Sequence, residues 1–352
     1  MGKKHVIYIL ILLIVLNIII RIPTMRNEPG QDTFVIHSLA NSISNAGFAA
    51  WVNHPLSFFG MYPGSYPSAG PFWLSGFNLL TNLEMDEVIL ITSIILGLIG
   101  FFSAYLAAKG IENNTLFRIF VAFSFSLSPV FLLFTIWSAS TRHLFLAIFP
   151  LLLWCLFSIS NNSNKLKYLL LSGVFFILLG VTHRLFFLMP LIIIAFLSSF
   201  ILNNLKILVE LYGKKINIVP IVWFTVFLIF VGFQIFRIGF YKNIHLIDAY
   251  ETGFLFTGKE FDSLLKNMAI DYASKIGLLS IFIIIGLIVL TIKPEKKINH
   301  IFLLTSLIIL SPIISYGTYV PLILLIFSCL LIGLGLLKIM NMIKINKYMT
   351  FG

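Results

Sequence analysis

Long apolar stretches alternating with short polar ones are the main pattern along this chain. A helix that crosses a bilayer needs about 20 mostly apolar residues, and ten stretches have this character. They are residues 5–21, 87–108, 117–137, 142–160, 166–182, 185–203, 218–236, 276–292, 299–316 and 319–337. The pattern predicts an all-α, polytopic membrane protein with about ten transmembrane helices, in which residues 1–352 form a single transmembrane domain.

Two of the stretches between predicted spans are long, residues 22–86 and residues 237–275. Within the first, apolar residues recur at helical spacing over 33–46, at Val35, Leu39, Ile43 and Ala46, and Gly47 follows. This spacing predicts an amphipathic helix lying in the membrane interface. A second apolar stretch, 71–82, is too short to span and predicts an interfacial or re-entrant helix.

Composition and charge support a membrane location and indicate an orientation. Only 11% of the residues are charged and the mean hydropathy is +1.02, whereas soluble domains carry about 25% charged residues. With the N-terminus in the cytoplasm, the inner side receives 15 of the 24 basic residues and 3 of the 13 acidic ones. The positive-inside rule therefore predicts a multi-pass cell-membrane protein with cytoplasmic termini and an extracytoplasmic first loop. The basic charge is a topology signal and does not indicate nucleic-acid binding.

Asp32 is the acidic residue that opens the first loop helix. One hypothesis makes it a catalytic base or a metal ligand beside a lipid-facing cavity. The alternative is that Asp32 caps the helix by accepting hydrogen bonds from the first-turn amides. The two roles are compatible, because a capping carboxylate is also held rigidly.

A ring of cations lies at the predicted outer ends of the spans. It comprises Arg142 with His143, His183 with Arg184, and also Arg21 and Arg237. A planar guanidinium suits a phosphate because it can donate two parallel hydrogen bonds. The alternative for any one arginine is snorkelling to lipid phosphates without a role in substrate binding. The adjacent histidines and the very short turns favour a functional role at Arg142 and Arg184.

Several further residues of the first loop are candidates for binding. Trp51, Tyr62 and Tyr66 are typical of the aromatic belt at headgroup level, and His54 could help to hold an acceptor or a metal. His37 is similar, one turn after Asp32. A surface histidine without a role is the alternative for both. No spacing of His, Asp or Glu dictates a metal site, which leaves a divalent metal as an open alternative and no cofactor established.

The order of features in the first part of the chain resembles the GT-C membrane glycosyltransferases. A first helix is followed by a loop that opens with Gly-Gln-Asp, a helix, the segment Trp-Val-Asn-His-Pro-Leu-Ser and a Tyr-Pro-Gly-Ser-Tyr-Pro turn. This superfamily includes protein mannosyltransferases, the lipid A aminoarabinose transferase and the catalytic subunits of oligosaccharyltransferases. The resemblance extends over residues 1–160, and Asp32 matches the acidic residue that is catalytic or binds metal in the superfamily.

The resemblance implies an inverting glycosyltransferase that uses a polyprenyl-phosphate-linked sugar, with an acceptor hydroxyl and membrane lipid as its other partners. Asp32 would be the base, Arg142, His143, His183 and Arg184 would hold the phosphate, and Trp51, His54, Tyr62 and Tyr66 would bind substrate. The turn 138–143 contains no acidic residue, unlike the second acidic motif of the oligosaccharyltransferases, which argues against transfer of whole oligosaccharides to asparagine. The alternative from another class is a non-catalytic scaffold, such as a lipid-binding assembly factor or a flippase.

Overall fold

The computed structural model describes residues 3–25, 28–48, 69–161, 164–211, 270, 273–310 and 320–349. Across these ranges the backbone forms helices and contains no strand, which confirms the all-α prediction. The α-helices are α1 Lys3–Ile19, α2 Gln31–Ala46, α3 Ala69–Thr81, α4 Met85–Lys109, α5 Thr115–Ser126, α6 Pro129–Thr135, α7 Thr141–Asn161, α8 Lys165–Thr182, α9 Met189–Leu211, α10 Ile281–Ile292, α11 Ile298–Leu310 and α12 Val320–Met349. A 3-10 helix, Arg184–Leu188, joins α8 to α9.

Five helical stretches are long and apolar enough to cross a membrane. They are Met85–Lys109, Thr141–Ser160, Lys165–Thr182, Leu185–Leu205 and Val320–Ile343, and α5 with α6 would make a sixth. The protein is therefore a membrane protein, as predicted. The count of about ten spans is not confirmed, because α1, α10 and α11 have only 17, 12 and 13 residues. The predicted span 218–236 and most of the predicted loop 237–275 lie outside the described residues.

The stretch 117–137, predicted as one span, is instead two helices that meet at an angle of 57°. The first, α5, ends at Ser126, and the Ser128 hydroxyl accepts a hydrogen bond from the backbone N–H of Phe131 at the start of α6. Pro129 takes the first position of α6, where a missing N–H breaks no helical hydrogen bond. The Ser-Pro pair thus ends one helix and starts another inside an apolar run.

The centre of the bundle is α12, since 89% of its most apolar window is buried, against 17% for α8. It packs against α10 and α5. A Cβ added at Gly286 of α10 would lie 1.9 Å from the carbonyl oxygen of Leu331, and one at Gly335 would lie 2.5 Å from that of Phe282. These two glycines let the backbones of α10 and α12 touch, as small residues do between membrane helices.

A smaller core joins α2, α3, the start of α4 and the turn after α6. Its buried apolar residues are Ile36, Ala40, Leu74, Met85, Val88, Ile89, Trp137 and Ala139. The helix predicted over 33–46 is present as α2 and ends at Gly47, whose φ of +75° suits glycine. On α2, Thr33, Ile36, Ala40 and Ile43 are buried in the protein, while Val35 is exposed. Contacts with the turn after α6 determine which face of α2 is buried.

Candidate functional site

The side chains of Asp32 and Arg142 meet across 110 residues of sequence. Arg142 donates a hydrogen bond from one terminal nitrogen of its guanidinium to Oδ2 of Asp32 at 3.0 Å. The Asp32 side chain is 60% exposed and that of Arg142 is 23% exposed. The guanidinium also lies over the ring of Phe134, 5.0 Å from its centroid. The ion pair therefore stands at the surface, with the cation oriented by an aromatic face and the acid open to solvent.

Asp32 does not cap α2. The helix begins at Gln31 after Gly30, and no side chain forms a hydrogen bond at the cap. Gly30 has a φ of +91°, which glycine adopts without steric cost. Asp32 instead occupies the first turn, where a carboxylate is favoured by the helix dipole. The glycine frees the carboxylate to reach Arg142, so the helix-cap hypothesis is wrong.

A second contact beside the ion pair fixes α2 on the turn 136–140. The Thr33 hydroxyl donates to the carbonyl oxygen of Pro29 at 2.7 Å and lies 3.2 Å from the hydroxyl of Ser138. Trp137 adopts a φ of +42°, and its indole N–H donates to the backbone oxygen of Asp86 at 3.2 Å. A bulky residue in the left-handed region is strained, so the turn is held in place by its contacts. Sequence patterns did not indicate Thr33 or Ser138, because their hydroxyls meet only in the fold.

His143 supports the same turn from inside. Its side chain is buried, and Nδ1 lies 3.1 Å from the carbonyl oxygen of Ser138. The backbone N–H of the preceding residue, Arg142, donates to the hydroxyl of Ser140 at 3.3 Å. The structure thus places His143 behind Arg142, where it holds the backbone that carries the guanidinium.

His183 lies beside the first turns of α7. Its ring packs edge-on against Phe145 with 6.4 Å between the centroids. Its Nδ1 accepts a hydrogen bond from the backbone N–H of Leu185 at 3.0 Å, which starts the 3-10 helix. The backbone of Arg184 follows in that helix, but its side chain is not among the described ones. The turns at 138–143 and 183–184 are thus neighbours at one end of the bundle.

His37 forms a pair with Glu28, a partner that sequence spacing did not suggest. Its Nδ1 lies 2.9 Å and 3.1 Å from the two carboxylate oxygens. Burial raises the pKa of the Glu28 carboxyl above its ordinary value, and the negative charge of Asp86 adds to this, while His37 opposes it. A carboxylate nine residues before a histidine has no helical register with it, so only the folded loop brings the pair together.

Arg21 neither snorkels nor joins the ion pair. It is completely buried and donates to the backbone oxygens of Asn17 at 2.9 Å and Ser126 at 3.1 Å. Its Nε has no hydrogen-bond partner, and no described carboxylate forms a salt bridge with it. The side chain fills the space beside Gly97, where an added Cβ would lie 2.1 Å from Nε. Arg21 therefore clamps the end of α5.

The remaining predicted site residues cannot be placed. Trp51, His54, Tyr62 and Tyr66 lie outside the described residues, as does Arg237. Across the described ranges, no three His, Cys, Asp or Glu side chains are grouped so as to hold a metal ion. These residues alone therefore do not fit a divalent metal.

The helical bundle with its first-loop helix has a fold similar to that of solved oligosaccharyltransferase structures. The apo oligosaccharyltransferase of Archaeoglobus fulgidus superimposes with a TM-score of 0.68 at 11% identity, covering 99% of this chain and 52% of that one. The same protein, AglB, in complex with an inhibitory peptide and a dolichol-phosphate gives a TM-score of 0.66 at 12% identity, with 99% and 52% covered. Its complex with Zn and sulfate gives 0.62 at 14% identity, with 95% and 49% covered.

The GT-C resemblance is thus confirmed as a likeness of fold. The chain spans about half the length of these structures. No family model and no curated protein matches its sequence.

Proposed function

We propose that the protein transfers a sugar from a polyprenyl-phosphate-linked donor to an acceptor hydroxyl at the extracytoplasmic face of the cell membrane, with inversion. The observation that carries this proposal is the exposed Asp32–Arg142 pair, which supplies a base and a phosphate-binding cation side by side. The shared fold with an oligosaccharyltransferase that was solved with a dolichol-phosphate supports a lipid-linked donor. The positive-inside distribution supports cytoplasmic termini.

The chemistry needs one base and one cation. The acceptor oxygen forms a bond to the anomeric carbon while the bond from that carbon to the phosphate oxygen breaks, and Asp32 takes the proton of the acceptor hydroxyl. The bonding electrons leave with the polyprenyl phosphate, whose growing negative charge Arg142 stabilises through hydrogen bonds. The phosphate is already a good leaving group, so no acid is required to protonate it. Attack from the opposite face inverts the anomeric centre.

The ion pair is compatible with this division of roles. A guanidinium has five N–H donors, and the observed bond to Asp32 uses one terminal nitrogen of Arg142. A donor phosphate can therefore compete with the exposed carboxylate of Asp32 for the guanidinium of Arg142. Packing over Phe134 keeps the guanidinium plane in position during this exchange.

The other predicted residues complete the proposed site. Arg184 would add a second cation from the neighbouring turn, and the buried His143 and His183 would hold the two turns. Trp51, His54, Tyr62 and Tyr66 would shape the acceptor side. Zinc is present in one oligosaccharyltransferase structure, but no step proposed for this chain passes through a metal.

The test is a transfer assay in membranes with radiolabelled polyprenyl-phosphate sugars. Asp32→Asn is expected to reduce transfer about 10²–10⁴-fold, the usual contribution of general base catalysis. Asp86→Asn is the matched control, because it makes the same change in the first turn of another helix, and it is expected to keep transfer. Full transfer by Asp32→Asn at normal protein levels would rule out the assignment. Absence of transfer by the parent with every donor would favour the non-catalytic scaffold.

A further inference from the structure

Two cavities lie between the same three helices, α7, α8 and α9, away from the proposed catalytic end. Helix α7 has 21 residues and rises about 30 Å at 1.5 Å per residue. Its first residues carry Arg142, and its last turns line the first cavity. This cavity is therefore separated from the ion pair by about the thickness of the bilayer hydrocarbon.

The first cavity is polar and has a volume of about 380 Å³, within the size range of ligand pockets. Its polar lining consists of Ser160, Lys165, Asn203, Asn204 and Lys297. No acidic side chain is among its described lining residues, and neither lysine forms a salt bridge with a described carboxylate. Among the described residues, the cavity therefore offers an anion two lysines without a carboxylate partner, and two amides.

The ends of two helices add to this positive potential. Lys165 is the first residue of α8, and Lys297 immediately precedes Ile298, the first residue of α11. The N-terminal end of a helix carries partial positive charge and free N–H groups. The acid of a neighbouring loop, Glu112, is paired with Lys293 and forms no salt bridge with Lys165 or Lys297.

The second cavity is apolar, has a volume of about 210 Å³ and lies deeper along the same helices. Leu152 and Leu156 line it from α7, two turns and one turn before the polar cavity, and Gly173 and Phe176 line it from α8. A Cβ added at Gly173 would meet nothing within 4 Å. A lipid whose headgroup occupied the polar cavity would thus have open apolar space beneath it for a chain.

The surroundings of both cavities are those of a lipid-facing surface. Only 17% of the apolar window of α8 and 28% of that of the α9 stretch are buried inside the protein. The outward side chains of the two helices are large and apolar, namely Leu166, Leu169, Leu170, Val174, Ile177, Ile194, Leu197 and Ile201. A membrane lipid can therefore reach the cavities from the side.

We propose that the two cavities together bind one anionic phospholipid, with its phosphate-bearing headgroup between Lys165 and Lys297 and an acyl chain beside Gly173. Basic pockets between membrane helices are suited to anionic lipid headgroups. The positive charge of the polar cavity, together with the apolar cavity farther along the same helices, favours this occupant over a zwitterionic lipid or a soluble phosphate. The site is independent of the proposed sugar transfer.

The test measures lipid binding to the delipidated full-length protein by native mass spectrometry. The probes are phosphatidylglycerol, phosphatidylcholine with the same chains, and water-soluble glycerol phosphate. Phosphatidylglycerol is expected to bind about tenfold or more tightly than phosphatidylcholine, because each lysine near an anionic headgroup contributes to binding. Equal binding of both lipids would overturn the proposal. Binding of glycerol phosphate as tight as that of the lipid would show a soluble-anion site and would also overturn it.

Two sets of variants separate the headgroup from the chain. Lys165→Gln with Lys297→Gln is expected to remove the preference for phosphatidylglycerol. The control, Lys109→Gln with Lys167→Gln, removes the same charge from exposed lysines that do not line either cavity and should keep the preference. Gly173→Leu places a side chain in the apolar cavity, where an added Cβ meets nothing within 4 Å, and should weaken binding of both lipids. A preference that survives in the first variant, or lipid binding unchanged by Gly173→Leu, would contradict the site.

Discussion

Arg21 and Arg142 have similar predicted positions in the sequence but opposite surroundings in the fold. Each was predicted as a cation at the outer end of a span. Arg142 is 23% exposed and donates to a carboxylate, whereas Arg21 is completely buried and donates to backbone oxygens on two helices. An arginine bound to carbonyls inside the protein cannot exchange them for a substrate. An arginine bound to an exposed carboxylate can exchange that carboxylate for a substrate. Of these two arginines, only Arg142 is therefore suited to binding a phosphate.

The difference arises from the helix break between α5 and α6. Ser126, the last residue of α5, has a carbonyl that the helix cannot satisfy, and Arg21 donates to it. Beyond the break, α6 leads to the strained turn at Trp137 and then to Arg142. One arginine thus stabilises the bend that positions the other.

The largest effect on stability is expected from Arg21→Ala. The substitution leaves a cavity and takes a donor from two carbonyls, so the free energy of unfolding should fall by about 2–5 kcal/mol. Arg21→Met should cost less, because it fills the space without burying a charge that lacks a described counter-ion. Chemical unfolding in detergent measures both variants. If Arg21→Ala were as stable as the parent, Arg21 would not be a structural clamp.

Thr33→Val tests whether α2 is fixed by the contact beside the ion pair. Valine keeps the shape of threonine but loses the hydrogen bonds to Pro29 and Ser138. The free energy of unfolding should fall by about 1 kcal/mol. Ser138→Ala in the Thr33→Val background should add little, because the two residues share one contact. If the two substitutions lowered the free energy of unfolding additively, the contact between Thr33 and Ser138 would be contradicted.

Of the substitutions at Arg21, Thr33 and Arg142, Arg142→Ala should lower the free energy of unfolding least and sugar transfer most. An exposed ion pair contributes about 0–1 kcal/mol to the free energy of unfolding. Transfer should fall about 10²–10³-fold, as when one transition-state donor is removed. Arg142→Lys should recover only part of this loss, since an ammonium lacks the planar pair of donors. A loss of stability as large as that from Arg21→Ala would show that Arg142 also has a structural role and would contradict the prediction.

Glu28→Gln should change the pH dependence of stability, as the smallest of these effects. The pKa of Glu28 is raised above 4.5 in the folded protein, so the folded state binds this proton more tightly than the unfolded state does. The resulting contribution to the free energy of unfolding is complete below the unfolded pKa and is lost as the pH rises through the folded pKa. The parent should therefore lose stability relative to Glu28→Gln as the pH increases above 4.5. Thermal unfolding at several pH values measures this, with the exposed Glu295→Gln as control. Parallel curves for parent and Glu28→Gln would contradict it.

Periodicity and turn residues predicted much of the fold, including the helix at 33–46 with Gly47 after it. They did not predict the rotation of that helix, because the hydroxyl of Ser138 that Thr33 contacts is 105 residues away. The break at Ser128 and Pro129 was present in the sequence but was outweighed by the apolar run around it. At the candidate site the residue types of Asp32 and Arg142 were informative. The pairing of these two residues could not be predicted, because no local spacing in the sequence relates them.

The 110 residues between Asp32 and Arg142 also have a meaning for biosynthesis. At translation rates of about 5–20 residues per second, Arg142 is made roughly 5 to 20 seconds after Asp32. Helices α3 to α6 are synthesised within that interval. The acid and the cation can therefore meet only after this part of the chain has been synthesised.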